Sequence, residues 1–173
     1  STDYVGISFW TISMAMVAAT VFFLMEAGRM GGKCRTSLTV GALVTLVAAV
    51  HYFYMRDVWA ATGASPTVYR YVDWLITVPL QMVEFYFILA AVTVVSSGVF
   101  WRLMIGSLVM LVAGYMGEAG LAPAWPAFIV GMLGWGYILY EIFAGEAGRV
   151  SSESAPAGVQ SAFGTMRLIV TVG

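Results

Sequence analysis

Two carboxyl groups stand where carboxyl groups are costly. The stretch Tyr69-Arg70-Tyr71-Val72-Asp73-Trp74-Leu75-Ile76-Thr77-Val78-Pro79-Leu80-Gln81-Met82-Val83-Glu84-Phe85-Tyr86 is mainly apolar, yet it contains Asp73 and Glu84. Unpaired in hydrocarbon, each costs roughly 2.5–3.5 kcal/mol on insertion scales. Eleven residues separate them, which is three helical turns, or about 16 Å along one face. Thr77 and Gln81 lie between them at four-residue steps. Arg70, three residues before Asp73, is spaced to neutralise it or donate a hydrogen bond to it. This arrangement suits proton relay. Apolar surroundings favour a protonated Glu84, ready to donate, and Arg70 favours an ionised Asp73, ready to accept. Either carboxyl taken singly also fits a hydrogen-bonded packing residue. Two on one face, with Thr77 and Arg70 in register, fit function better. A proton does not cross about 16 Å unaided, so the pair needs an intermediate carrier.

The elements that must position these groups are membrane helices. The 173 residues are 61% hydrophobic and 10% charged, well outside the composition of a soluble domain. A bilayer core of about 30 Å takes about 20 apolar residues per helix, and five runs meet that length. They cover roughly 4–28, 37–60, 69–93, 98–119 and 125–145, here termed A to E. A sixth apolar run opens at Pro156 and continues to Gly173 without a stop signal. The expected fold is therefore an all-α integral membrane helical bundle, one transmembrane domain over 1–173. Its C-terminus reads as incomplete, with five helices and the start of a sixth. Short loops make sequential helices antiparallel neighbours. The polar stretch Gly145–Ala155 is the one candidate linker.

Charge sets orientation and excludes other classes. Arg29, Lys33, Arg35, Arg102 and Arg149 fall at the A–B, C–D and E–F ends, against Arg56 on the other side. The positive-inside rule then places the N-terminus outside, so helix C runs inward. A net charge of −1 with no basic stripe gives no reason to expect nucleic acid. One cysteine, Cys34, excludes an internal disulfide framework, and one histidine, His51, argues against a histidine metal centre.

The helix-C segment, with its Asp73–Thr77–Glu84 arrangement, resembles the microbial (type 1) rhodopsin family, in particular its proteorhodopsin branch. Supporting stretches are His51-Tyr52-Phe53-Tyr54-Met55-Arg56, Gly114-Tyr115-Met116-Gly117-Glu118 and Gly134-Trp135-Gly136-Tyr137-Ile138-Leu139-Tyr140-Glu141. The resemblance implies a seven-helix fold and supplies the missing carrier, all-trans retinal held as a protonated Schiff base on a lysine. By resemblance, Asp73 is counter-ion and proton acceptor, Glu84 the proton donor, and Arg70 an organiser of the outer half-channel. Thr77 stands with them and with the retinal contacts. His51 pairs with Asp73 in the same reading, although a lone histidine on an apolar face is usually a packing residue. Trp74, Met110, Gly114 and Trp135 match positions that line the retinal site.

Gln81 matches the family's colour-tuning position, where glutamine goes with blue absorption. An amide that favours the ground-state charge distribution widens the excitation gap. The resemblance thus implies a light-driven outward proton pump, blue-absorbing, and not an enzyme. It also implies a bacterial inner (plasma) membrane location and a homo-oligomeric ring, pentamer or hexamer, in which Trp10 of a neighbouring copy joins the His51 cluster. Glu118, at the outer end of D, reads as a solvated helix-end residue before a proton-release group.

The chain departs from the family in one respect. Its single lysine, Lys33, lies in the A–B loop and cannot place a Schiff base beside Asp73. The expectation is that the native protein supplies the retinal lysine beyond Gly173. Two alternatives stay open: a blue-light photosensor of the same fold with a slow photocycle, and a retinal-free membrane scaffold or proton-coupled transporter. Glu84 favours a pump over a sensor. The absence of repeated, broken helices disfavours a transporter.

Overall fold

In the computed structural model, which describes residues 3–91 and 93–172 and leaves the Lys33 side chain undescribed, the protein is a serial helical bundle. The helices are α1 (Tyr4–Arg29), α2 (Gly32–Thr62), α3 (Thr67–Ala90), α4 (Ser97–Glu118), α5 (Ala124–Phe143), α6 (Glu146–Ser154) and α7 (Ala157–Val172). Each of α1 to α5 packs on the next, as short links require, and α7 lies against both α3 and α5. Among the described residues, five stretches are long and apolar enough to cross a membrane: Tyr4–Arg29, Cys34–Thr62, Thr67–Ala90, Ser97–Glu118 and Ala124–Ser154. The chain is a multi-pass membrane protein. Large apolar side chains such as Val21, Phe22, Leu133 and Leu168 are exposed on the bundle, where only hydrocarbon makes that exposure favourable.

Local chemistry fixes the helix ends. Asp3 caps α1, its carboxylate accepting the Gly6 N–H at 2.9 Å. The same oxygen accepts the Trp59 indole N–H at 3.1 Å, tying the start of α1 to the end of α2. These two donors hold the Asp3 carboxyl below the usual carboxylate range. Ser96 caps α4 through the Gly98 N–H. Between helices, small residues set the approach: a Cβ on Gly134 would lie 2.9 Å from the Gly106 carbonyl oxygen, so α4 and α5 meet backbone to backbone. Thr20 and Thr45 share a hydrogen bond of 2.8 Å between α1 and α2. α3 continues through Pro79 without a break, as membrane helices tolerate.

The expected linker is a correction. Residues Glu146–Ser154 form a helix, α6, inside the stretch read as Gly145–Ala155. Its polar composition suggested a loop, but Ala147 and Ser151 recur at four-residue spacing and are buried, so one face packs while the other is wet.

Candidate functional site

The site is built on α3. Asp73 and Thr77 lie one turn apart on its buried face, at 2% and 6% exposure. The Thr77 hydroxyl donates to the Asp73 backbone carbonyl at 3.0 Å, which locks the threonine rotamer beside the carboxyl. From α2, His51 brings Nδ1 to 3.4 Å from Asp73 Oδ1. That nitrogen makes its hydrogen bond to the Val47 carbonyl at 2.9 Å. A carbonyl only accepts, so Nδ1 carries the hydrogen and Nε2 is the free nitrogen. The His51–Asp73 contact is therefore electrostatic, and Asp73 Oδ1 is buried with no hydrogen-bond donor among the described residues. Buried carboxylate oxygens are rarely left so, and such an atom is a pointer to a missing partner.

Arg70 does not complete this group as the spacing predicted. Its guanidinium turns to the outer end of α4, where it donates to Glu118 Oε1 at 3.3 Å. It also donates to Ser65 Oγ at 3.3 Å. The guanidinium carbon lies 4.8 Å from the Trp74 ring centroid. The half-exposed Glu118 also accepts from Thr67 at 3.0 Å, so it is a bound helix-end carboxylate and not a freely solvated one. A partner 48 positions away in sequence takes Arg70 in place of the one at three.

Beside Asp73 a cavity of about 500 Å³ opens among α3, α4 and α5. Trp74, Met110, Gly114 and Trp135 all line it, with Tyr71, Val78, Gly131 and Met132. Asp73 itself stands one residue before Trp74 and is not in this wall. Tyr71 was not singled out from the sequence; its place one turn before Trp74 was the available signal. Its ring packs edge-on to Trp74 at 5.1 Å and to Tyr115 at 5.4 Å.

Glu84, three turns from Asp73, lines a second cavity of about 320 Å³ with Gln81, Thr45, Gly41, Phe23 and Phe85, closed by Met166, Ile169 and Val170 of α7. Gln81 thus stands with Glu84, apart from the aromatic cavity. Trp10 lies on the exposed side of α1, half-exposed, in a shallow recess with Asp3 and Arg56. Within this chain it does not reach His51. Lys33 stands in the first turn of α2, eighteen residues from His51, or about 27 Å along the helix.

The apolar cavity fits a polyene cofactor. Its volume falls within the roughly 300–1,000 Å³ of small-molecule sites, its walls are aromatic and aliphatic, and an unpartnered buried carboxylate oxygen lies one residue from the wall.

The chain matches the bacteriorhodopsin-like protein family over residues 3–173. It is 56% identical over 173 residues to the green-light absorbing proteorhodopsin of Gamma-proteobacterium EBAC31A08, covering 100% of this chain and 69% of that protein. It is 55% identical over 172 residues to the blue-light absorbing proteorhodopsin of Gamma-proteobacterium Hot 75m4, covering 99% and 68%. Among solved structures, the blue light-absorbing proteorhodopsin from Med12 superposes with a TM-score of 0.82 at 53% identity, covering 98% of this chain and 75% of the other. Xanthorhodopsin, described as a light-driven ion pump with dual chromophore, gives 0.83 at 27% identity, covering 97% and 73%.

Proposed function

The chain belongs to the bacteriorhodopsin-like family, and from that premise we propose that the whole protein is a light-driven outward proton pump that binds all-trans retinal and absorbs in the blue. The observation that carries this reading is Asp73: a buried carboxyl against His51, with Oδ1 lacking any hydrogen-bond donor among the described residues. Retinal bound as a protonated Schiff base supplies a light-absorbing polyene and a proton whose affinity changes on illumination. Trp74, Met110, Gly114 and Trp135, which line the cavity, would hold and orient the polyene. The reading requires an attachment lysine other than Lys33.

The chain's own residues then divide the work. Asp73 balances the cationic end as counter-ion and accepts a proton at the unpartnered Oδ1. His51, 3.4 Å away, fixes that carboxyl and moderates its charge. Thr77, donating to the Asp73 backbone, holds the turn in place. Arg70, paired with Glu118, organises the outer side of the site. Glu84 holds a proton in its own largely apolar cavity and releases it outward to the Asp73 side of the bundle. Acceptor outside and donor inside give outward transport when the N-terminus is outside, the orientation that the distribution of Arg and Lys supports. Gln81 supports blue absorption: its amide, beside the Glu84 cavity, favours the ground-state charge distribution. A bacterial plasma-membrane location and a homo-oligomeric ring of five or six chains, with Trp10 on its contact face, complete the proposal.

The test is a visible absorption spectrum of the full-length protein supplied with all-trans retinal, before and after hydroxylamine. A blue-region band that hydroxylamine bleaches is expected. No band contradicts the cofactor assignment, and a stable band in the green contradicts the Gln81 assignment alone.

A further inference from the structure

At the Glu84 end of the bundle lies a charged group that the proton path does not use. Arg102 on α4 donates from Nε to Glu141 Oε2 at 3.0 Å and from Nη2 to Glu141 Oε1 at 3.1 Å. The same Nη2 donates to Glu146 Oε2 at 2.6 Å. The Glu141 side chain is 3% exposed, and its Oε1 also accepts the Ala147 N–H at 3.2 Å. One buried carboxylate of α5 thus binds α4 through a guanidinium and caps the first turn of α6. Gly145 permits the fold-back: a Cβ there would lie 2.6 Å from Glu141 Oε2 and 2.7 Å from Glu141 Cα.

The segment that this group holds is the cover of the Glu84 cavity. α6 seats Ala147, fully buried, in the apolar cluster that includes Phe85 and Phe163. α7 then carries Phe163, edge-on to Phe85 at 5.3 Å, and places Met166, Ile169 and Val170 in the wall around Glu84. Apart from these apolar contacts, α7 reaches the bundle through the Trp135 indole, which donates to the Val170 carbonyl at 3.2 Å, and through Arg167 stacked on Phe143. Glu141 is the buried member, so loss of Arg102 strands its carboxylate away from water, and the triad favours one position of α6–α7.

We propose that Arg102, Glu141 and Glu146 are positioning residues that latch α6–α7 over Glu84 and so set the rate at which Glu84 is reloaded with a proton. The inference rests on the pump reading above. With the latch closed, water reaches the Glu84 cavity only when the cover opens, and reloading is limited by the open fraction. Loosening the latch raises that fraction.

The experiment uses the full-length protein with all-trans retinal in lipid vesicles, read in two ways. One is hydrogen–deuterium exchange over residues 146–172; the other is flash-triggered proton uptake, followed with a pH-indicator dye. In Glu141→Gln and Arg102→Gln, exchange is expected to rise about tenfold and uptake to quicken about threefold, with the absorption maximum unchanged. The double variant adds little to either single one, because the pair is already broken. Glu146→Gln, at a half-exposed position, gives the same direction at smaller size and serves if the other two variants accumulate poorly. Unaltered exchange overturns the latch, and raised exchange with unaltered uptake overturns its role in reloading. A wild-type protein with no light-triggered uptake removes the pump reading and the reloading role with it, while exchange still decides whether the triad holds α6–α7.

Discussion

On one face of α3, two carboxyl groups meet opposite surroundings. Asp73 is packed against α2, with an imidazole 3.4 Å away and a threonine tied to its own backbone. Glu84 stands in a cavity walled largely by Phe23, Val44, Phe85 and Ile169, and no hydrogen bond or ion pair reaches its carboxyl among the described residues. The helix is the same and the functional group is the same. What differs is what the neighbours present: α2 sets His51 against Asp73, whereas around Glu84 it presents Gly41, Val44 and Thr45, and α1 and α7 add Phe23, Met166, Ile169 and Val170. That contrast in surroundings is what the proposed division into acceptor and donor rests on.

Replacing the acceptor breaks the comparison most severely. Asp73→Asn keeps the shape and removes the base, and net light-driven proton transport is expected to fall to background, at least about 10²-fold, as general-base removal typically does. Transport above one tenth of wild type would assign the acceptor elsewhere. Glu84→Gln sharpens the other half. Recovery of the dark-state spectrum at neutral pH should slow about 10²-fold with the colour nearly unchanged; an unaffected recovery time, followed by flash photolysis, would remove Glu84 from the donor role. A smaller effect is expected at Gln81, whose replacement by Leu should move the absorption maximum to longer wavelength and leave transport near wild type. An unmoved maximum would separate Gln81 from colour tuning, as its place beside Glu84 and apart from the aromatic cavity makes worth measuring.

The smallest effect lies outside both carboxyl sites. Asp3, capping α1 and accepting from Trp59, titrates below its ordinary value of 3.8. Its stabilising contribution is thus present above that value and lost as pH falls through the lowered one. Asp3→Ala should narrow the difference in thermal stability between pH 6 and pH 3 and leave the spectrum alone. An unchanged difference would show that the cap does not contribute.

Much of this was readable from the sequence, for physical reasons. Apolar runs broken by Gly, Pro and charge gave spans within a few residues of α1 to α5, because hydrocarbon thickness leaves few other solutions. Asp73, Thr77 and Glu84 share a face by helical period alone. What the sequence hid depends on contacts between distant elements. Arg70 was paired with Asp73 by spacing, but the packing of α4 beside α3 offers it Glu118. Arg102 was counted as an end charge for orientation, and Glu141 was quoted only as part of a motif; nothing local shows that the fold-back at Gly145 closes them into a triad with Glu146, built on the buried Glu141 carboxylate. α6 was read as a linker because a short polar helix has little apolar signal, and its buried side is evident only once a partner exists.

Asp73 as proton acceptor is the centre of the proposed light-driven pump. The most direct measurement is the pH of a lightly buffered suspension of cells making the full-length protein with all-trans retinal, under blue illumination, with wild type and Asp73→Asn side by side. The expected result is reversible acidification by wild type, abolished by a protonophore, and no response from Asp73→Asn. Acidification that survives the loss of Asp73, or an absence of any light response in a wild type carrying the blue band, would contradict it.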